Sequence, residues 1–167
     1  MKALTIHKGF HRPFQIIPAC FKFISFDERF SIKKKVVFTE SCRYNFDNED
    51  QLDWNKLFGF CLGINGVHKN SARYVWRYKP IADKIEIAAY YYIDGQRQYR
   101  KVTTVKINQC VTLEILKTGS SIFFFAEDFL VDDDVITSNR PAFGCGLYFG
   151  GNRRAPQNIT IKMCNYD

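Results

Sequence analysis

Polar and apolar residues alternate along the middle of the chain. From Ala72 to Tyr78 the period is two, which predicts a β-strand with two unlike faces. One face carries Ala72, Tyr74, Trp76 and Tyr78, and the other carries Arg73, Val75 and Arg77. Because Pro80 has no N–H group to donate to a ladder, the strand is expected to end before it.

A second alternating run predicts a strand from about Lys84 to Ile93. Asp94-Gly95 follows directly, and this dipeptide accepts the positive φ angles of a type I′ hairpin turn. The segment from Gln96 to Ile107 is therefore expected to return antiparallel. The three strands would carry, on one sheet, Arg73, Arg77, Tyr90, Tyr92, Arg97 and Tyr99. Register decides which of these residues share a face.

Similar short strands follow one another along the rest of the chain. About ten predicted strands at regular spacing indicate an all-β fold, an antiparallel β-sandwich. The 167 residues suit one domain, 1–167, which buries about two thirds of the surface that its unfolded form would expose. Residues 1–19 are predicted to be an extended arm or edge strand, and residues 54–163 the core of the sandwich.

Composition agrees with a folded β domain. A hydrophobic fraction of 46% with 25% charged residues excludes wholesale disorder, and sixteen Phe with nine Tyr favour strands. The net charge is +7, and residues 55–106 contain ten Lys and Arg against three Asp and Glu. This basic region could attract an acidic polymer, or it could serve solubility alone.

No cofactor motif is present, and no cofactor is expected. The six cysteines show no C-x-x-C spacing and no pairing with histidines that would favour zinc; free thiols are favoured over three disulfides. The acidic segments 45–53 and 127–134 are predicted to be loops. They lack the EF-hand order, so solvated turns are favoured, with calcium as the alternative.

The beginning of the chain shows no secretory signal, because Lys8, His11, Arg12 and Pro13 interrupt every apolar run. No stretch approaches the roughly 20 apolar residues that a membrane-spanning helix needs. The chain is therefore expected to be soluble, without membrane insertion, and cytoplasmic as it stands. Removal of a signal that preceded it would make it an exported protein.

Three segments carry a resemblance to known proteins. In chain order they are HKNSARYVWR, KIEIAAYYYIDGQR and LYFGGNRRAPQNITI. Together they resemble a set of bacterial β-sandwich proteins of the concanavalin-like jelly-roll type, to which no activity is attached, and the likeness covers roughly residues 54–163. The resemblance implies a jelly-roll. By analogy with that fold it also implies sugar binding or glycan cleavage on the concave sheet.

Aromatic and cationic residues of the central strands suggest a glycan-binding face. Sugars need rigid aromatic platforms beside hydrogen-bonding side chains, and arginines favour anionic sugars. The leading hypothesis is a non-catalytic carbohydrate-binding domain with no catalytic or metal site. Its predicted ligand-binding residues are His68, Asn70, Arg73, Trp76, Arg77, Tyr90, Tyr92 and Arg97.

Two enzymatic alternatives and two binding or structural ones stay open. A polysaccharide lyase would use His68, Arg73, Arg77 and Tyr92 for charge neutralisation and proton transfer. Jelly-roll lyases of the alginate class carry a Gln-x-His strand and a Tyr-x-Lys-x-Gly-x-Tyr strand, which this chain lacks. A glycosidase needs two carboxylates, and Glu86 is the only acid in the middle of a central strand. Nucleic-acid binding is disfavoured because no such signature is present, and a structural or assembly role without a ligand is the last alternative.

Overall fold

The computed structural model describes residues 1–14, 23–25, 29–64, 66–136 and 140–165. The strands are, in chain order, β1 (Lys2–Ile6), β2 (Phe23–Ser25), β3 (Arg29–Phe38), β4 (Asn55–Leu62), β5 (Ser71–Lys79), β6 (Lys84–Ile93), β7 (Gln96–Lys106), β8 (Cys110–Thr118), β9 (Ser121–Ala126), β10 (Phe129–Val135), β11 (Ala142–Cys145) and β12 (Ile159–Asn165).

Within the described ranges these strands form two sheets of six. The first sheet has the order β1-β12-β3-β8-β9-β10, and the second has the order β2-β11-β4-β5-β6-β7. Neighbouring strands pair antiparallel throughout. One cluster of buried side chains joins the two sheets. The predicted antiparallel β-sandwich is therefore confirmed.

The central hairpin forms where the sequence predicts it. Asp94 and Gly95 adopt φ angles of 47° and 85°, the left-handed values that a type I′ turn requires. β5 pairs with β6, and β6 with β7, so the three predicted strands are neighbours in the second sheet. β1 lies at the edge of the first sheet, whereas residues 15–19 of the predicted N-terminal arm lie outside the described residues.

The face of the second sheet that points away from the first sheet is called here the outer face. A small cluster of buried residues, Trp54, Val75, Ala88 and Tyr90, packs on it with Tyr92 at its margin. Val75 and Ala88 are small and belong to adjacent strands, so the rings of Trp54 and Tyr90 can lie close to the sheet. Part of the outer face is thus covered by packed, buried side chains and is not a row of solvated ones.

Gly59 leaves room on this face for the Arg73 side chain. The two residues are partners across β4 and β5. A Cβ at position 59 would lie within 2.6 Å of the Arg73 Cα and 2.8 Å of its Cγ. It would also approach the carbonyl oxygen of Ala72, which belongs to the backbone and cannot move aside. Arg73 therefore crosses the sheet over a residue that has no side chain.

We expect Gly59→Ala to lower the free energy of unfolding by about 3 kcal/mol, the upper range for overpacking in a closely packed site. The reason is that the added methyl group forces β4 and β5 apart. Chemical denaturation of the parent and the variant measures this. Gly119→Ala is the matched control, because nothing lies within 4 Å of a Cβ there, although its φ of 56° adds a backbone cost. A Gly59→Ala protein as stable as the parent would contradict this account of Arg73.

The second acidic segment differs from its prediction. Residues 129–135 are not a loop but strand β10, because they pair with β9 through the backbone. No group of three or more His, Cys, Asp or Glu side chains that could hold a metal ion is found among the described residues. The described cysteines, Cys42, Cys61, Cys110, Cys145 and Cys164, are free thiols, and Cys20 lies outside the described residues. In the described part of the chain, no helix is long and apolar enough to span a membrane.

Candidate functional site

Arg73 is the most unusual charged residue of the outer face. It is only 5% exposed, and its Cζ lies 5.3 Å from the centre of the Tyr90 ring. Nη2 donates to the Val67 carbonyl at 3.3 Å, whereas the buried Nε has no hydrogen-bond partner. Arg73 makes no ion pair with a carboxylate in the described part of the chain. Buried charges are normally paired, so the surroundings of this guanidinium are unusual.

Lys56 adds a second cation next to Arg73. Its Nζ donates to the carbonyl oxygens of Trp54 at 2.8 Å and Gly150 at 3.4 Å. It lies 5.8 Å from the Tyr90 ring centre and 5.9 Å from that of Tyr148. Like Arg73, it makes no ion pair with a carboxylate among the residues described. Arg73 and Lys56 together are called here the cationic centre.

The pKa of Lys56 is lowered to about 8, chiefly by burial and then by the positive charges of Arg73 and Arg97, while the negative charge of Asp53 acts in the opposite direction. A negative charge placed near the Lys56 ammonium group would stabilise its protonated form. The charge of the cationic centre therefore depends on pH in the weakly alkaline range.

We expect Lys56→Met to stabilise the free protein below pH 8, and this advantage to shrink between about pH 8 and 10. The sign follows from the lowered pKa: below pH 8 the folded chain must hold a charge that the unfolded chain holds at no cost. Above pH 8 the folded chain releases that proton, so the penalty disappears. Denaturation of both proteins across this range measures it. Parallel pH profiles for the two proteins would contradict the lowered pKa.

Tyr148 borders the cationic centre on one side. Its ring stacks on the His11 ring, with 4.8 Å between centres and 12° between planes. The Arg12 guanidinium lies 5.3 Å from the same ring. The Tyr148 hydroxyl makes no hydrogen bond to a residue that the structure describes. A phenol in this position can contact a molecule bound at the cationic centre and exchange a proton with it.

His68 and two tyrosines border the cationic centre on the other side. The His68 ring meets Tyr92 edge to face at 5.4 Å, and the Tyr90 hydroxyl donates to the Tyr92 hydroxyl at 3.5 Å. Burial lowers the pKa of His68, and Arg73 and Lys56 lower it further, which favours the neutral ring. Burial and the hydrogen bond to Tyr92 raise the pKa of Tyr90 to about 12, which favours its neutral hydroxyl.

Arg77 lies on the same face but in a different environment. Its Nε donates to Glu86 at 2.6 Å, and its guanidinium covers the Trp54 ring at 4.2 Å. Lys101 reaches the other oxygen of Glu86 at 3.0 Å. Burial raises the pKa of Glu86, but hydrogen bonds from Lys101 and Arg77 lower it by more, so the net shift is downward. Arg77 is thus held by a buried ion pair and differs from Arg73.

The structure separates the predicted ligand-binding residues into four groups, one of which is Arg77 with its ion pair to Glu86. His68, Arg73, Tyr90 and Tyr92 lie together, and the exposed Arg97 pairs with Tyr92 across β6 and β7. Asn70 is structural, because its side chain accepts the Asp94 N–H at 3.0 Å. Trp76 does not belong in the predicted set. It is 1% exposed and packs on Phe38 inside the sandwich, so it cannot touch a ligand on the outer face.

Three residues of the site are absent from the sequence-based set. Lys56 enters through β4, Tyr148 through an isolated bridge to Lys56, and His11 through the N-terminal segment. One sequence signal pointed to Tyr148: Gly146-Leu147-Tyr148 matches the last three positions of the Tyr-x-Lys-x-Gly-x-Tyr strand of alginate-class lyases. Ala142 and Gly144 replace the first tyrosine and the lysine, so the full pattern is not met.

The fold is similar to that of solved alginate lyases. A family 7 alginate lyase in complex with product superposes with a TM-score of 0.59 at 8% identity, covering 86% of this chain and 65% of that chain. An alginate lyase from Pseudomonas aeruginosa gives 0.58 at 9% identity, over 93% of this chain and 69% of that one. An alginate lyase from Klebsiella pneumoniae gives 0.57 at 10% identity, over 81% and 59%.

These matches concern the fold. The sequence itself matches no protein-family model and no curated protein. The chain spans 59–69% of the length of the three lyases, which is close to two thirds. The likeness confirms the concanavalin-like jelly-roll that the sequence resemblance implied.

The prediction of a non-catalytic carbohydrate-binding domain is wrong as the leading interpretation. Several solved structures to which the chain is similar are alginate lyases. Of the three aromatic residues predicted to stack on a sugar, Trp76 is 1% and Tyr90 5% exposed, so neither offers a ring face, whereas Tyr92 is partly exposed. The alternative interpretation, a glycan-active lyase, agrees better with both observations.

Proposed function

We propose that this chain is a polysaccharide lyase, an enzyme that cleaves an anionic, uronate-containing polysaccharide of the alginate class by β-elimination. The observation that carries the proposal is the cationic centre, in which Arg73 and Lys56 are largely buried without a carboxylate partner in the described part of the chain. A structural role does not account for two such cations side by side, because their burial costs free energy that a bound anion would return.

The chemistry of elimination uses what the site offers. A base removes the proton at C5 of a uronate, and the carbanion that develops is stabilised when cations neutralise the neighbouring carboxylate. Arg73 and Lys56 take this role. The oxygen at C4 leaves with the bond electrons and needs a proton, which the Tyr148 hydroxyl can donate. The products are two shorter chains, one ending in a C4–C5 double bond.

The outer face is poorly suited to hydrolysis of a glycosidic bond. That reaction uses two carboxyl groups, one as acid and one as base or nucleophile. Glu86 is bound by both Arg77 and Lys101, and these bonds hold it in the ionised form. Elimination needs no such carboxylate pair, so the charge pattern of the site favours a lyase.

The test is digestion of a panel of polymers with purified protein. The panel contains mannuronate-rich alginate, guluronate-rich alginate, polygalacturonate and a polyglucuronate, with a neutral glucan as the negative control. We expect ultraviolet absorbance from the new double bond, conjugated with the carboxylate, to rise with time on a uronate polymer and not on the glucan. Arg73→Met is the matched inactive variant.

A folded protein that produces no unsaturated ends from any polyuronate would contradict the proposed function. Saturated fragments in place of unsaturated ones would also contradict it, since they would indicate hydrolysis. A neutral glucan has no carboxylate for the cationic centre to neutralise. If it were cleaved as fast as a uronate polymer, the cationic centre would have no role in catalysis.

A further inference from the structure

The N-terminal segment is folded against the site rather than extended away from it. Gly9 has a φ of 81°, which turns the chain after β1, and the Phe10 N–H donates to the His7 carbonyl at 3.0 Å. The Gly9 N–H donates to the Ala155 carbonyl at 2.8 Å, and the Ala155 N–H donates to the Phe10 carbonyl at 3.0 Å. This pair of bonds fixes the segment beside the loop that follows Tyr148.

The segment holds the His11 ring in one orientation. The Phe149 N–H donates to the His11 carbonyl at 2.7 Å, and Nδ1 of His11 lies 2.8 Å from the Phe149 carbonyl oxygen. Because a carbonyl can only accept, Nδ1 carries the hydrogen. Nε2 is then the basic nitrogen of the neutral ring, and it makes no hydrogen bond to a described residue. His11 is half-buried, so this nitrogen is fixed without being sealed off.

The stacking geometry restricts how a substrate can reach both rings. His11 and Tyr148 are nearly parallel and 4.8 Å apart, which leaves no room for a sugar between them. A sugar that contacts Nε2 and the phenol together must therefore approach both from one side. The cationic centre lies next to the same phenol, since Lys56 is 5.9 Å from the Tyr148 ring centre.

We propose that His11 and Tyr148 act as a base and acid couple on one side of the substrate, and that the chain therefore prefers uronates whose C5 hydrogen and C4 oxygen lie on the same face of the sugar ring. The inference rests on the proposed function and names the substrate class of the same site. In 4-linked polymers, D-mannuronate and D-glucuronate units have this arrangement. L-guluronate and D-galacturonate units have the two groups on opposite faces.

The step balances without a further reactant. Nε2 of His11 takes the C5 proton, and the electrons of that bond form the C4–C5 double bond. The C4–O bond breaks with its electron pair on oxygen, which takes the proton of the Tyr148 hydroxyl. His11 is left protonated and Tyr148 is left as the phenolate, and a proton passes from one to the other to restore both groups.

The other histidine and tyrosine pair of the site is less suited to this role. No hydrogen bond to a described residue orients the exposed His68 ring, whereas Nδ1 of His11 is held by the Phe149 carbonyl. His68 meets Tyr92 edge to face. Lys56 of the cationic centre lies between this pair and Tyr148, since it is near the rings of both Tyr90 and Tyr148. We assign proton transfer to the pair that includes His11.

The first test compares polymannuronate and polyguluronate blocks of equal length, which carry the same charge per unit. We expect kcat/KM to be at least about tenfold higher on the mannuronate blocks, the smaller end of the contribution of general acid and base groups. Equal or faster cleavage of guluronate blocks would overturn the same-side couple and leave the proposed lyase function intact. Cleavage of no uronate polymer would overturn both.

The second test separates catalysis from anchoring at His11. His11→Asn retains a donor that can reach the Phe149 carbonyl but removes Nε2; we expect a loss of about 10²–10⁴-fold in kcat/KM with an unchanged melting temperature. His11→Ala should recover part of its activity when free imidazole is added. His7→Asn, on the same segment, is the matched control and should keep its activity. An active His11→Asn protein, or a His11→Ala protein that imidazole does not rescue, would show that His11 only anchors the segment.

Discussion

Tyr148→Phe is expected to lower kcat/KM on a uronate polymer by about 10²–10⁴-fold, the contribution of a positioned proton-transfer group. The change removes one oxygen and keeps the ring, which stacks on His11 and lies near Lys56. Because the hydroxyl makes no hydrogen bond to a described residue, its loss leaves no buried group unpaired. We therefore expect the melting temperature to stay the same while the steady-state rate falls.

Tyr92→Phe is the matched control for this variant. It removes a hydroxyl from the same face, but one that accepts a hydrogen bond from Tyr90. We expect a small loss of stability and less than a tenfold loss of rate. If Tyr92→Phe were inactive and Tyr148→Phe active, proton transfer would belong to Tyr92 with His68, as the lyase alternative from the sequence has it.

Arg73→Met is expected to lower kcat/KM by about 10²–10³-fold, as the loss of one preorganised donor to developing charge does in other enzymes. It should not weaken the fold, and the melting temperature should be equal to or above that of the parent. The reason is that a buried guanidinium with an unpaired Nε is replaced by an apolar chain of similar length. Kinetics on a uronate polymer and thermal unfolding of the same preparation measure both effects.

Arg77→Met is the contrasting variant. Arg77 holds the buried Glu86, so its removal leaves that carboxylate with Lys101 alone and should lower the melting temperature. We expect opposite profiles: Arg73→Met is stable with a much lower rate, and Arg77→Met is less stable. An Arg73→Met protein that is both active and destabilised would show that Arg73 is part of the framework.

Local sequence patterns predict the central strands because their causes are local. The period of two in β5 and β6 reflects one buried face, and Asp94-Gly95 marks the turn between β6 and β7. The same alternation places Trp76 and Arg73 on opposite faces. A ligand set that contains both residues is inconsistent with the pattern, and the structure places Trp76 in the core.

The difference between Arg73 and Arg77 depends on register, which a single sequence does not reveal. Both point to the outer face, yet Arg77 is paired with Glu86 across β5 and β6 and Arg73 with Tyr90. One arginine therefore meets a carboxylate and the other an aromatic ring. The absence of a side chain at Gly59 completes the environment of Arg73, and its cause lies on another strand, β4.

The remaining parts of the site come from distant segments. Lys56 and Tyr148 are brought together by a single bridge, and His11 is carried to Tyr148 by backbone bonds to residues 149 and 155. Contacts between segments so far apart in the chain follow from the tertiary fold and not from local sequence. The loop predicted for 127–134 was wrong for most of its length, because residues from 129 onward form the edge strand β10, whose pairing with β9 is not visible in the local sequence.

The most direct test of the account is the mass of the fragments released from a uronate polymer. Elimination divides one chain into two without consuming water, so one fragment of each pair carries an unsaturated end and is lighter by one water molecule than a hydrolytic fragment. We expect unsaturated fragments from the parent protein, and Arg73→Met to form them about 10²–10³-fold more slowly. Fragments with only saturated ends, or intact polymer after incubation with a folded protein, would contradict it.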